Sequence, residues 1–451
     1  MRDIPLLLGI FVMVPMILVR PYLGVLAWGW TALLVPNAFV YGLAANIRFN
    51  LLIAITTAVA WLLSKEPKRI PLSATAVLLA CLFVWATVSA IFTTNTVPAD
   101  SWMEWERLAK TLLFSLAVIG LIRNQTRITG MLFTVVLSMG FHGFLEAGKF
   151  ILTGGSHHIW GPGTSIIADN NAFALAVIMT IPFLAYLYGY SRNFLIRVAM
   201  AGGMFLLIVV VIGTRSRGGL IGIVALAFWI LVTTRKKFRF LMVALPFAFL
   251  ALTLAPEHWY ERMSTIESVD QDSSFMGRVV AWKINTLAAL DRPLTGAGFR
   301  ATQDLPVWLR YAGEFSKLDM IPTQRADSTM AHAAHSIYFE VLGDMGFVGF
   351  GIYLLLLFTA WRNTSIAIKQ TRDSPELKWA HDLARTFQYS LVPFIVSGAA
   401  LNMAYFDLAF AIFALAAVLK TITKVAAVVP AQLSTGSVLI ARAPETVHGA
   451  P

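Results

Sequence analysis

Apolar runs of membrane-crossing length recur along the chain, separated by short polar breaks. A hydrocarbon core of about 30 Å asks for roughly 20 apolar residues in a helix. Runs of this kind, with edges good to about four residues, fall at 4–19, 22–36, 50–63, 73–93, 108–122, 128–146, 170–190, 198–214, 218–234, 240–255, 335–361, 388–404 and 406–422. The first three of these 13 runs are short, and one re-entrant run or one merged pair among them leaves about 12 true spans, in the range 11–13. The pattern predicts an all-α polytopic membrane protein.

One polar stretch interrupts the pattern. It divides the chain into N-terminal membrane helices (1–255), a large loop (256–334), C-terminal membrane helices (335–424) and a small, polar tail (425–451). Connections longer than about 15 residues usually carry function. Inside the loop, 276–290 has helical spacing, with Met276, Val279, Val280, Ile284 and Leu287 toward one face and Asp272 or Ser273 as a cap. DRPLTGAGF (291–299) reads as the turn that ends it, and LPVWLRYAG (305–313) as a segment lying on the bilayer surface.

Composition agrees. Of 451 residues, 58% are hydrophobic and 13% charged, against about 25% charged in a soluble domain. Mean hydropathy is +0.72. A cytosolic enzyme, a secreted domain and a disordered regulator are excluded. The single Cys81 excludes an intramolecular disulfide framework or a Cys-rich metal site. The net charge of +11 would suggest nucleic acid in a soluble chain, but its distribution follows topology. The connections 64–71, 123–127, 191–197, 235–240 and 362–385 share 16 Lys and Arg and lie on one side if each span crosses once. The positive-inside rule makes that side cytoplasmic, together with Lys420 and Lys424. The loop 256–334 carries 8 basic and 10 acidic residues and falls on the opposite side. The weak early spans leave the parity of the N-terminus open. The first apolar run lacks a small-residue cleavage site, which predicts no cleaved signal peptide.

Against this background a few cations stand on the wrong side. Arg215 and Arg217, in GTRSRGGL (213–220), precede an apolar helix with Gly218 and Gly219 at its start. They are either interfacial arginines of a tight turn or an anion site made of guanidiniums and free backbone N–H groups; sidedness favours the second. His335 opens the helix after the loop, as a structural residue near a cap or as a general base. His332 makes a metal pair conceivable, but no HExxH-like pattern completes it, so no metal is expected. Arg278 is a solvated helix arginine with its stem over Trp282, or a third cation on the same anion. In WGPGTSIIADNNAFALA (160–176), Asp169, Asn170 and Asn171 read first as N-caps and second as sugar contacts, and His157 and His158 as solvated loop residues. Asn170, Asn171, Trp160, Trp282 and Tyr338 are the candidate substrate contacts. The chain has no P-loop, no GxGxxG after a strand and no GxSxG, and Asp270 and Asp272 sit in a flexible polar run.

GTRSRGGL, SFMGRVVAWK, DRPLTGAG and HSIYFEVLGDMGFVGF, in that order, resemble the bacterial O-antigen ligase and polymerase superfamily. MRDIPLLL, RPYLGVL (20–26), WGPGTSIIADNNAFALA and MSTIESVDQDSSFMGR are similar to its branch of O-glycosylation ligases linked to exosortase systems. The resemblance covers about residues 1–360. It implies a GT-C-like fold in the inner membrane and a metal-independent glycosyltransferase facing the periplasm. The implied donor is a glycan on undecaprenyl diphosphate. The implied acceptor is a hydroxyl of lipid A–core oligosaccharide or, in this branch, of a protein. By the same resemblance His335 matches the loop-end histidine that handles the acceptor hydroxyl, and Arg217 and Arg278 match arginines that hold the diphosphate. Arg215 stands where relatives need not have an arginine. Membrane lipids are expected partners and nucleic acid is not. A polymerase of the same superfamily is the nearest alternative. A lipid-linked glycan flippase would place its charges at mid-membrane with repeat symmetry, whereas these cations gather on one face around one loop.

Overall fold

A computed structural model describes residues 3–242, 245, 249, 273–318 and 326–435. Its helices are α1 (Asp3–Val19), α2 (Pro21–Leu34), α3 (Phe49–Leu63), α4 (Ala74–Ile91), α5 (Pro98–Leu121), α6 (Gln125–Leu152), α7 (Asn170–Tyr190), α8 (Phe194–Gly213) and α9 (Arg217–Thr233). Further along the chain come α10 (Ser273–Asp291), α11 (Leu305–Ala312), α12 (Ile337–Thr371), α13 (Lys378–Ser397) and α14 (Asp407–Thr435). Six of these helices, α4, α6, α7, α8, α12 and α14, are long and apolar enough to cross a membrane, and α1, α2, α3 and α9 are shorter apolar helices. The chain is an all-α, multi-pass membrane protein. The expected span 240–255 lies largely outside the described residues. The last helix reaches Thr435, past the expected start of the tail at 425, and 436–451 are not described.

Helices that are apolar all round belong in the middle of a bundle. In this bundle α7 and α14 bury most of their membrane window, 78% and 72%, whereas α8, the more apolar helix, buries 28% and faces outward. Around this centre the polar connections sort to two faces. Arg20, between α1 and α2, shares a cavity with Lys65, Glu66, Asn124 and Arg127. Arg385 donates to the Thr233 carbonyl, and Tyr190 donates to Asp382. Asn363 Nδ2 donates to Thr75 Oγ1 at 3.1 Å and so links the last connection to the start of α4, just after 64–71, which places the described basic connections on one face. Asp3 accepts from the Gly42 amide, in the connection between α2 and α3, at 3.3 Å, so α1 begins on the opposite face.

The loop builds its own small core. Val280, Ala281, Ile284, Leu287 and Ala288 of α10 are buried against Val307, Trp308 and Tyr311 of α11. The α10 spacing is as predicted. Segment 305–313, expected on the bilayer surface, is instead packed into the loop. The reason is that its indole and phenol find partners there: Trp308 Nε1 donates to the Asp327 carbonyl (2.9 Å) and the Tyr311 hydroxyl to Asp291 (3.1 Å).

The turn after α10 plugs into a break in α12. Expected at 335–361, α12 is longer and leaves helical geometry at Gly346 (φ +64°, ψ −168°), where only glycine is at ease. The carbonyls freed by the break accept from the turn: Ala297 N to Gly343 O (2.8 Å) and Gly298 N to Asp344 O (3.1 Å), with Phe347 N donating back to Pro293 O (2.9 Å). Trp85 of α4 caps the same break by donating to Met345 O at 3.1 Å. DRPLTGAGF and GDMGF are therefore two halves of one joint that fixes the loop to the membrane helices.

Candidate functional site

Three helix N-termini are brought together on the face opposite the basic connections. Asp169 caps α7, accepting from Asn171 N (2.8 Å) and Ala172 N (3.3 Å). Ser216 caps α9, accepting from Gly219 N at 2.8 Å, and the same hydroxyl donates to Asn171 Oδ1 at 2.7 Å. Asn170 Nδ2 donates to Thr214 O at 2.8 Å. The start of α7 is thus clipped to the GTRSRGGL turn. Arg217 is the first residue of α9. On the other side of that start, Ser397 at the end of α13 donates to Gly218 O (2.9 Å), and a Cβ on Gly398 would come within 2.8 Å of Ile337, the first residue of α12. Ser336 caps α12 through the Tyr338 amide (3.4 Å).

His335 precedes that cap, with its backbone at φ +44°. A non-glycine residue is strained there by about 1–2 kcal/mol. The segment is held from behind by Trp282 of α10, which donates to Ala334 O at 2.7 Å and stacks on Phe339 (5.2 Å, 11°). The residue is exposed by surface area, yet surrounding protein is the largest influence holding its pKa below the ordinary 6.5. The Arg278 guanidinium and His332 push it the same way, and Asp169 pulls it up. His335, Arg278 and Asp169 therefore share one electrostatic site, and the imidazole is neutral at pH 7, the form that accepts a proton.

This sets a pH test. The acid limb of the activity profile should have its midpoint below 6.5. Arg278→Gln removes a positive neighbour, so the limb of its residual activity moves up in pH. Asp169→Asn, which keeps the cap, removes a negative one, so the limb moves down. A limb at the same pH in all three proteins would separate His335 from the titration.

The remaining expected residues divide. Asn170 and Asn171 are neither plain caps nor free ligands but the clip between α7 and the α9 turn. Trp282 backs the His335 segment. The Tyr338 hydroxyl, a candidate substrate contact, is taken up by the Ile395 carbonyl at 2.9 Å because α12 and α13 pack there. Arg215 takes φ +52° and donates to the carbonyls of Gly155 and Ser156 (3.3 and 3.1 Å), a brace between two turns. Trp160 stays 51% exposed beside His158 (4.9 Å). His158, expected to be solvated, lies 3.1 Å from Thr214 O, and His157 lies 2.8 Å from Glu146. The sequence reading missed the acids of α12. Asp344 accepts from Arg300 N (3.1 Å) and from the Tyr405 hydroxyl (2.8 Å), and Glu340 accepts from Ala404 N (3.1 Å). Two carboxylates four residues apart in an apolar helix were the available signal. It also missed Asp169 as a charge acting on His335.

Convergent helix N-termini present positive dipole ends, and with Arg217 and Arg278 nearby they favour an anion. A basic imidazole alongside suits deprotonation of a hydroxyl. Residues 202–354 match the family model described as O-antigen ligase, which places that stretch in the O-antigen ligase superfamily, a family of glycosyltransferase-like enzymes whose substrates are in general lipid-linked glycans and their acceptors. The matched stretch contains the GTRSRGGL turn, α10, the plug, His335 and the kink of α12. Residues 1–192 match a family of unknown function. No curated protein matches the chain.

Proposed function

We propose that the protein moves a glycan from undecaprenyl diphosphate to an acceptor hydroxyl, on lipid A–core oligosaccharide or a protein, at the periplasmic face of the bacterial inner membrane, without a metal. The observation that carries this is the joining of three helix N-termini beside Arg278 and a neutral His335. The acceptor oxygen attacks the anomeric carbon as the bond from that carbon to the diphosphate oxygen breaks. His335 takes the hydroxyl proton. The diphosphate leaves with the bonding pair, and Arg217, Arg278 and the α9 and α12 N-termini stabilise the charge as it develops. Attack opposite the leaving group inverts the anomeric centre. The loop core of α10 and α11, pinned by the plug, roofs the site and limits donor hydrolysis.

The test compares arginines. Purified Arg217→Ala and Arg278→Ala should each transfer glycan about 10²–10³ times more slowly than wild type, the loss seen when one charge-stabilising donor is removed. Arg192→Ala, on the basic face, should match wild type. Equal losses in all three would count against the site. Transfer to a second lipid-linked repeat but not to lipid A–core or protein would make the enzyme a polymerase of the same superfamily.

A further inference from the structure

Two cavities lie end to end along the seam of α1, α2 and α6, on the face away from the proposed active site. The outer one, of 630 Å³, is polar and lined by Arg20, Tyr22, Lys65, Glu66, Asn124 and Arg127, among others. The inner one, of 290 Å³, is almost wholly apolar, with Ile17, Leu23, Trp30, Gly130, Phe133 and Leu137 in its wall. On each helix the apolar lining begins within one turn of the polar lining: Ile17 before Val19, Leu23 after Tyr22, Gly130 after Arg127. Leu23 to Trp30 and Gly130 to Leu137 each span about 10 Å at 1.5 Å per residue, the reach of about eight methylenes.

The charges of the outer cavity are unequally used. Arg127 is paired with Glu66 and lies over the Tyr22 ring at 4.4 Å. Arg123 and Lys68, close by, are committed to backbone carbonyls. Among the described residues, the side chains of Arg20 and Lys65 have no hydrogen bond or ion pair. Two uncommitted cations at the mouth of an apolar slot, on the face where a positive-inside chain meets anionic lipid, match a ligand with one anionic head and a hydrocarbon chain.

We propose that this seam binds an anionic glycerophospholipid of the cytoplasmic leaflet, its phosphate at Arg20 and Lys65 and one acyl chain along α2 and α6. The occupant is a lipid and not a free phosphate because the apolar slot begins within one turn of the polar pocket on each helix. It is not the glycan donor, because it lies on the face opposite His335.

Native mass spectrometry of the full-length protein in detergent tests this with added phosphatidylglycerol and with phosphatidylethanolamine of the same chains. Phosphatidylglycerol should be retained about tenfold more tightly, and the double variant Arg20→Gln/Lys65→Gln should lose that preference while Arg192→Gln keeps it. Both substituted residues are exposed, so folding is spared. Equal retention of the two lipids, or an unchanged preference in the double variant, would overturn the proposal. So would displacement of the lipid by an equal concentration of glycerol phosphate, inorganic phosphate or a polyprenyl diphosphate.

Discussion

Replacing His335 by glycine should abolish glycan transfer and leave the protein at least as stable as wild type. Residue 335 is held at φ +44°, between a carbonyl fixed by Trp282 and the Ser336 cap. An L-residue there costs about 1–2 kcal/mol that glycine does not. Glycine's greater freedom in the unfolded chain offsets part of the gain. Losing a positioned general base typically slows a reaction about 10²–10⁴-fold. The two effects therefore have opposite signs, so instability cannot be mistaken for lost chemistry. His335→Ala keeps the backbone strain and should lose activity without the stability gain. Thermal unfolding and initial transfer rates on the same preparations decide it. A glycine variant that unfolds earlier yet transfers at the wild-type rate would make the imidazole a structural group.

Gly346→Ala and Gly296→Ala should each undo the joint between loop and membrane helices. Both glycines have positive φ, +64° and +66°. A Cβ on Gly346 would stand 2.6 Å from Leu294 O, and one on Gly296 would stand 2.5 Å from Gly343 O. These neighbours are backbone atoms tied into the joint, so they cannot swing aside. The expected cost is about 3 kcal/mol or more in each case, seen as an earlier melt and as proteolysis between α10 and α12. Activity should fall with it, because α10 carries Arg278. A Cβ on Gly351, in the same helix, would meet nothing within 4 Å, and Gly351→Ala should be neutral or mildly stabilising. A Gly346→Ala protein as protease-resistant as the Gly351→Ala protein would refute the joint.

Local chemistry in this chain was legible and long-range chemistry was not. Apolar period and the spacing of α10 are local properties, and they foretold the bundle and the loop helix. His335, Arg217 and Arg278 stood out because a cation or imidazole on the poorly charged side of a membrane protein needs a reason. What adjacency could not reveal was pairing across the fold. DRPLTGAGF looked like a turn ending a helix. Its backbone N–H groups answer a break more than forty residues later, and nothing local announces that. LPVWLRYAG has the amphipathic look of a surface segment, and only the presence of α10 gives Trp308 and Tyr311 a drier place. Tyr338 and Arg215 were chemically plausible as ligands. Their partners, at Ile395, Gly155 and Ser156, are backbone carbonyls invisible in a residue pattern. The early spans were ambiguous because α1, α2 and α3 are short, and the contact between Asp3 and Gly42 was needed to orient them.

Transfer by purified protein, in EDTA and without nucleotide, from an undecaprenyl-diphosphate glycan to lipid A–core or a hydroxyl-bearing peptide tests the central claim most directly. Wild type should form a product with the anomeric configuration inverted relative to the donor, and His335→Gly should form almost none. A strict metal requirement, retention of configuration, or equal product from the two proteins would contradict it.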